Sequence, residues 1–164
     1  MKTLVLAIGN TLLTDEGAGI HALQVLQEQH PEPVGVTYMD GGTLSFTLAG
    51  AVEDADNLIV LDATQLKSEP GTVDCLINEE MDRFLGNCKR SVHEIGLLDL
   101  LDISRLTDNL PKRRALVAIQ PDVIDWGEYP TEQVAAAIPL VVDKVLALME
   151  KWSITPGADE GQAA

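Results

Sequence analysis

The chain has 164 residues, a mass of 17.7 kDa and 46% hydrophobic residues, the size of one domain that buries a full core without disulfides. Its formal net charge of -15 argues against nucleic-acid and anionic-membrane partners, because both require a basic face. Cys75 and Cys88 form no C-x-x-C pair, and no signal-peptide pattern or bilayer-length apolar run is present, so we expect a cytoplasmic protein with reduced thiols.

The first predicted element is a buried strand that leads into an acidic turn. Residues 4–8 are all apolar, Gly9 breaks the run, and Asp15 and Glu16 precede a segment with helical spacing. Ligands of open parallel sheets bind beyond the carboxyl ends of the strands, so both carboxylates are predicted at the mouth of a site. A second interpretation stays open, in which Thr14 or Asp15 caps the helix and Glu16 favours its dipole.

Strands and helices alternate along the rest of the chain, and two further strands end in a carboxylate. The apolar run at 58–61 is typical of a strand buried on both faces, and it ends in Asp62. The second strand is followed by Asp40 and two glycines. The predicted strands are 4–8, 34–39, 58–61, 73–77 and 113–119, and the predicted helices are 18–30, 44–52, 97–106 and 130–152.

Several segments are predicted to depart from this simple alternation. The short mixed pattern at 73–77 suits an edge strand and allows an antiparallel one, and residues 78–90 read as irregular and charged. Pro139 predicts a kink in the last helix or a break into two helices. From residue 153 the chain is rich in Pro, Gly, Ala and acidic residues, so we expect a domain at 1–152 and a disordered tail at 153–164.

Three candidate residues are predicted to meet at the upper edge of the sheet. If the strand order is 2-1-3, Glu16 and Asp62 face each other across the crevice. His93 lies at the start of the helix at 97–106, where its ring can reach the same crevice, although a structural hydrogen-bonding role stays open. Two carboxylates and one imidazole suit a borderline divalent ion such as nickel or zinc, with positions left open. Leu97 excludes the zinc-protease motif H-E-x-x-H.

A set of short motifs runs in order from the first strand to the last loop. They are G-N-x-L-x-x-D-E-G-x-G from Gly9, D-G-G-T from Asp40, D-A from Asp62 with P-G-T from Pro70, S-x-H up to His93, and I-Q-P followed by W-G at Trp126. The ordered set covers about residues 1–152. It resembles the hydrogenase maturation endopeptidases.

The resemblance implies an αβα sandwich around a twisted, mostly parallel five-stranded sheet. It also implies a cytoplasmic endopeptidase that removes the C-terminal extension of a nickel-iron hydrogenase large-subunit precursor after nickel insertion. The family's nickel-recognising residues fall on Glu16, Asp62 and His93, and Asp40 matches a further residue of the catalytic surface. Nickel is expected to arrive with the substrate, and zinc or another divalent ion suits the same site. We expect the enzyme to be a monomer.

The chemistry expected of such an enzyme is aspartate-dependent hydrolysis, in which either the metal or a carboxylate polarises the scissile carbonyl. Asp62 or Asp40 can activate water as a general base, while no G-x-S-x-G elbow or nucleophile–base pair is present. The family often continues its Asp-Ala motif with an aliphatic residue and a second aspartate, but this chain has Thr64 and Gln65. A second carboxylate is therefore not expected there.

Two other classes of function stay open at this point. A nickel-sensing chaperone that docks on the precursor without cutting it is compatible with the missing protease nucleophile. A small nucleotide-binding domain is disfavoured, because Gly9, Gly17 and Gly19 do not fit G-x-G-x-x-G and no phosphate-binding loop motif is present.

Overall fold

The computed structural model describes residues 1–43, 46–87 and 92–154, without the side chains of residues 92–95. The strands are β1 (Thr3–Ala7), β2 (Val36–Asp40), β3 (Asn57–Ala63), β4 (Val73–Ile77) and β5 (Arg113–Ile119). They form one sheet in the order β2-β1-β3-β5-β4, in which β4 is antiparallel to β5 and all other pairs are parallel. The predicted 2-1-3 order and the edge position of the fourth strand are both confirmed.

Helices cover both faces of this sheet. They are α1 (Ala18–Gln29), α2 (Ala49–Asp54), α3 (Glu79–Asn87), α4 (Val92–Leu106) and α5 (Glu132–Lys151). Helices α1 and α5 pack on the face that carries Val5 and Ala7, while α2, α3 and α4 pack on the face that carries Leu4 and Leu6. Because successive side chains of a strand point to opposite faces, β1 is buried on both sides and reads as a continuous apolar run. The predicted αβα sandwich is therefore confirmed.

The prediction of an irregular segment at 78–90 was wrong for residues 79–87, which form α3, while residues 88–90 lie outside the described part. Met81 and Leu85 are fully buried and Phe84 packs beside them, at the spacing of one helical face. The opposite face is polar, which hid the short apolar stripe. The prediction of two helices end to end at Pro139 was also wrong, since α5 is one helix with that proline inside it.

The ends of the predicted elements differ from the structure in smaller ways. The predicted helix at 44–52 is a 3-10 turn at Phe46–Leu48 followed by α2, and residues 44 and 45 lie outside the described part. Most of the tail predicted at 153–164 also lies outside it, so the domain boundary stays a prediction. Within the described ranges, no helix has both the length and the apolar character of a membrane span.

The connection from β1 to α1 folds tightly over the ends of β1 and β3. Gly9 has a φ of 148°, and a Cβ on it would overlap the carbonyl oxygen of Glu16. A Cβ on Gly19 would overlap the carbonyl oxygen of Leu61. Both positions therefore require glycine, and their close approaches fix the turn that carries Glu16 above the carboxyl end of β3.

Candidate functional site at the carboxyl edge of the sheet

Glu16 and Asp62 lie on neighbouring segments at the carboxyl edge. Asp62 is the sixth residue of β3 and is buried. Ala7, the last residue of β1, pairs with Leu61, so the chain that leaves β1 passes beside Asp62. Glu16 is half-buried in a 3-10 turn at Thr14–Gly17, and this turn contacts β3. The structure thus brings together the two segments that the sequence analysis placed at one site.

The start of α4 lies at the same edge and over the same face of the sheet. Asp62 is two residues beyond Val60 and therefore shares its face of the sheet, which Leu97 and other residues of α4 cover. Helix α4 ends at Leu106, and the chain then enters the amino end of β5. The helix therefore runs back along the sheet from the carboxyl edge, where His93 is its second residue. The side chain of His93 lies outside the described part of the structure.

The side chain of Asp40 lies on the face of the sheet opposite to that of Asp62. It is the last residue of β2 and pairs with Ala7. It has the same parity as Tyr38, which packs on the α1 and α5 face, whereas Asp62 belongs to the α4 face. Its Oδ1 accepts a hydrogen bond of 2.8 Å from the backbone N–H of Gly42, which closes an Asx turn. Asp40 thus shares the carboxyl edge with Asp62 but not its face.

Asp15 does not stand at the mouth of the site, as the sequence suggested, but is fully buried. Its carboxylate accepts hydrogen bonds from the backbone N–H groups of Asp122 (2.8 Å), Val123 (2.9 Å) and Thr131 (2.6 Å), and from the Thr131 hydroxyl (2.8 Å). Burial by itself raises the pKa of the Asp15 carboxyl, but these donors outweigh burial and hold the pKa below its ordinary value. Asp15 is therefore a structural anion.

The alternative in which Thr14 or Asp15 caps α1 was wrong as well. The N-cap of α1 is Gly17, and within the described residues no side chain makes a capping hydrogen bond there. Asp15 instead bonds to Thr131, the N-cap residue of α5. No sequence pattern signals this role, because the donors lie 107 to 116 residues away along the chain.

Further hydrogen bonds join the loop after β1 to the loop after β5. Thr14 N–H donates to the carbonyl of Gly127 (2.8 Å), and Gly127 N–H donates to the carbonyl of Leu12 (2.9 Å). The Thr14 hydroxyl and the Asp15 N–H both donate to the carbonyl of Val123. Residues 122–131 are consequently fixed beside the turn that carries Glu16.

The loop that follows Asp62 is ordered by Gln120. This buried side chain accepts a 2.7 Å hydrogen bond from the N–H of Leu66 and donates one of 3.0 Å to the carbonyl of Pro121. The I-Q-P motif at the end of β5 therefore shapes the neighbouring strand connection. The buried hydroxyl of Thr64 has no hydrogen-bond partner within the residues that the structure describes.

The donor set at this edge consists of hard and borderline ligands. Glu16 and Asp62 supply carboxylates and His93 would supply an imidazole, a set that fits nickel or zinc. In the described residues, which lack the His93 side chain, no three His, Cys, Asp or Glu side chains are close enough to hold a metal ion. Cys75 is half-buried on β4, and burial raises the pKa of its thiol, so it is protonated at neutral pH and poorly suited as a nucleophile.

Comparisons with known sequences point to one family. The HycI family model, described as hydrogenase maturation protease, matches residues 20–148. The hydrogenase 2 maturation protease of Escherichia coli is 36% identical over 155 residues, which cover 94% of each chain. The hydrogenase expression/formation protein HupD of Bradyrhizobium diazoefficiens is also 36% identical over 155 residues, covering 94% of this chain and 81% of the relative.

Solved structures agree with the sequence matches. The hydrogenase maturating endopeptidase HybD from Escherichia coli superposes with a TM-score of 0.88 at 35% identity, covering 93% of this chain and 94% of that chain. The [NiFe] hydrogenase maturation protease HybD from Thermococcus kodakarensis gives a TM-score of 0.76 at 30% identity, covering 90% and 99%. The fold and these relatives define an endopeptidase, a hydrolase of peptide bonds. The chain belongs to the hydrogenase maturation protease family.

Proposed function

We propose that this chain removes the C-terminal extension of a nickel-iron hydrogenase large-subunit precursor after nickel has been inserted. One observation carries the proposal. Three segments lie at the carboxyl edge of the sheet: the turn with Glu16, the end of β3 with Asp62 and the start of α4 with His93. The names of the relatives supply the kind of substrate. The proposal places a monomeric enzyme in the cytoplasm.

Nickel is part of the substrate in this proposal. Glu16, Asp62 and His93 offer two carboxylates and one imidazole, which leaves coordination positions for ligands of the precursor. Three such ligands hold a free ion more weakly than a closed four-ligand site does. The enzyme therefore binds a precursor whose nickel is already in place, and binding reports that loading is complete. A precursor carrying zinc or another divalent ion presents the same type of contact.

Asp62 is the proposed general base. In the proposed step the Asp62 carboxylate accepts a proton while the water oxygen attacks the scissile carbonyl carbon; the proton then passes to the leaving amine as the C–N bond breaks. Asp62 lies on the face that α4 covers, and its two oxygens allow contact with both nickel and water. Asp40 is the second candidate, but it starts from the other face and uses one oxygen for Gly42.

The test is the intact mass of nickel-loaded and nickel-free precursor after incubation with the wild type, Asp62→Asn or His93→Ala. We expect the wild type to release a C-terminal fragment from the loaded precursor alone. Loss of a general base lowers the rate about 10²- to 10⁴-fold, so Asp62→Asn is expected to cut at least a hundredfold more slowly. His93→Ala is expected to cut the nickel-loaded precursor no faster than the nickel-free precursor.

Two matched aspartate variants sharpen this test. Asp99→Asn, at an exposed position of α4, should cut at the wild-type rate, and Asp40→Asn should retain more activity than Asp62→Asn. Normal cleavage by Asp62→Asn would remove the site assignment. Equal cleavage of loaded and nickel-free precursor would refute nickel recognition, and binding without any cleavage would instead identify a chaperone.

A further inference from the structure

An exposed apolar surface adjoins the candidate site. We call it the apolar rim, and it consists of the side chains of Leu12, Val123, Ile124, Trp126 and Tyr129. Trp126 is 80% exposed and Tyr129 is 78% exposed. The whole chain has two tryptophans and two tyrosines, so half of each type lies on this one loop. Large apolar side chains that are exposed together, on a domain with a full core, mark an interaction surface.

The apolar rim is held by hydrogen bonds, not by packing of its own side chains. A β-bridge joins Leu13 to Gly127, and the buried carboxylate of Asp15 binds the backbone at both ends of the loop. Its backbone is therefore fixed before any partner arrives. A surface that is already ordered loses little conformational entropy on binding, which favours affinity.

The charges around the apolar rim restrict the chemistry of its partner. Asp122, Asp125 and Glu128 are exposed between the apolar residues, and the sequence has no Lys, Arg or His from 115 to 143. A complementary surface combines basic with apolar groups. A second copy of this chain, with its net charge of -15, would place like charges against each other, and so would an anionic membrane.

We propose that the apolar rim docks the hydrogenase precursor, through a segment that combines Lys or Arg with apolar side chains. This inference rests on the proposed function. The hydrogen bond from the Thr14 N–H to the Gly127 carbonyl makes the rim continuous with the turn that carries Glu16, so a precursor that presents its nickel there also lies against the rim. Trp126 is the central anchor, since tryptophan contributes most to binding at such interfaces. The contact lies outside the reacting groups and acts on affinity.

The experiment measures binding and cleavage separately, with the nickel-loaded large-subunit precursor of the same organism as the probe. Trp126→Ala is expected to raise both Kd and KM about tenfold or more and to leave kcat within about twofold. Glu128→Lys should also raise Kd, and more strongly at low salt than at high salt.

Leu106→Ser and Val34→Ser are the matched controls. Leu106 is 87% exposed at the end of α4 and Val34 is 68% exposed just before β2, so both lie at the amino edge of the sheet. Both variants remove an exposed apolar side chain without touching the apolar rim. Kd and KM of these variants should stay at the wild-type values. Urea unfolding of all four variants should match the wild type, because each side chain is exposed.

The outcomes separate this inference from the proposed function. If the wild type cuts the precursor and Trp126→Ala has unchanged Kd and KM, the docking surface is refuted and the protease stands. If kcat falls while KM is unchanged, Trp126 acts in the chemistry and docking is refuted. If the wild type binds without cutting and Trp126→Ala weakens binding, docking is supported and the protease is refuted. A wild type that neither binds nor cuts refutes both.

Discussion

The two edges of the sheet satisfy their acidic groups in different ways. At the amino edge, carboxylates face cationic side chains, as Asp54 faces Lys2 and Asp82 faces Arg114. At the carboxyl edge, the buried carboxylate of Asp15 faces backbone N–H groups and one hydroxyl. Ion pairs cancel charge, whereas neutral donors stabilise an anion and leave its charge in place. The carboxyl edge therefore keeps the negative charge of this carboxylate, which is compatible with the proposed nickel recognition and docking.

Removing the Asp15 carboxylate should have the largest effect on folding. Asp15→Ala leaves several buried N–H groups without an acceptor, and such groups cost about 1–3 kcal/mol each, so the free energy of unfolding should fall by about 3 kcal/mol. Urea unfolding measures this change. The control is Asp122→Ala, because only the backbone N–H of Asp122 takes part in the contact. A loss below about 1 kcal/mol would show that neutral donors do not stabilise this edge.

Breaking the buried ion pair of the amino edge should cause the second-largest loss of stability. Arg114 is nearly buried and donates to Asp82 from two nitrogens and to the carbonyl of Pro111. Arg114→Met should lower the free energy of unfolding by about 2 kcal/mol, since it leaves Asp82 with the more distant Arg105. Arg105→Met, at a half-exposed position, is the control and should cost about 0.5 kcal/mol or less. Equal losses in the two variants would contradict the difference in burial.

Acid should weaken the contribution of Asp15 to the carboxyl edge. The pKa of Asp15 is lower in the folded state than in the unfolded chain, where it is about 4. Its contribution to stability is therefore present above pH 4 and is lost as the pH falls through the folded-state pKa. The stability difference between the wild type and Asp15→Asn should be constant from pH 7 to about pH 5 and shrink below pH 4. Urea unfolding at each pH measures this stability difference. A difference that grows on acidification would contradict a lowered pKa of Asp15 in the folded state.

The exposed ion pair of the amino edge should have the smallest effect. Lys2 and Asp54 are 2.8 Å apart but both side chains are about two-thirds exposed, so water and salt screen their attraction. Lys2→Ala should leave the urea midpoint within experimental error, at low and at high salt. Asp54→Ala serves as the reciprocal control. A clear loss of stability in both variants would show that this edge depends on surface charge pairs.

The periodicity of the sequence was enough to predict the sheet. The apolar runs before Gly9 and Asp62 predicted two of the three inner strands, and the mixed pattern at 73–77 predicted the edge strand that is antiparallel. Helix α3 was missed because its apolar stripe is only three residues long and lies among charged side chains. The spacing of Met81, Phe84 and Leu85 was the available signal.

The candidate site was predictable only where its residues end a strand or begin a helix. Asp62 follows a buried run and His93 precedes an apolar helical face, so their common edge follows from the chain path. Asp15 and Glu16 are adjacent in sequence and both carry a carboxylate. Asp15 is buried under the loop after β5, whereas Glu16 is half-buried. Only contacts with residues more than 100 positions away distinguish them, and no local pattern encodes those contacts.

The hydrogen bonds of Asp15 also set an order of assembly. They join the first connection of the fold to the start of its last helix, across 107 to 116 residues of chain. Closing so long a loop costs chain entropy, so we expect these contacts to form after the intervening strands have paired. Residues 122–131 therefore gain their final shape only in a finished domain. If this loop docks the precursor as proposed, an incompletely folded chain would lack that docking surface.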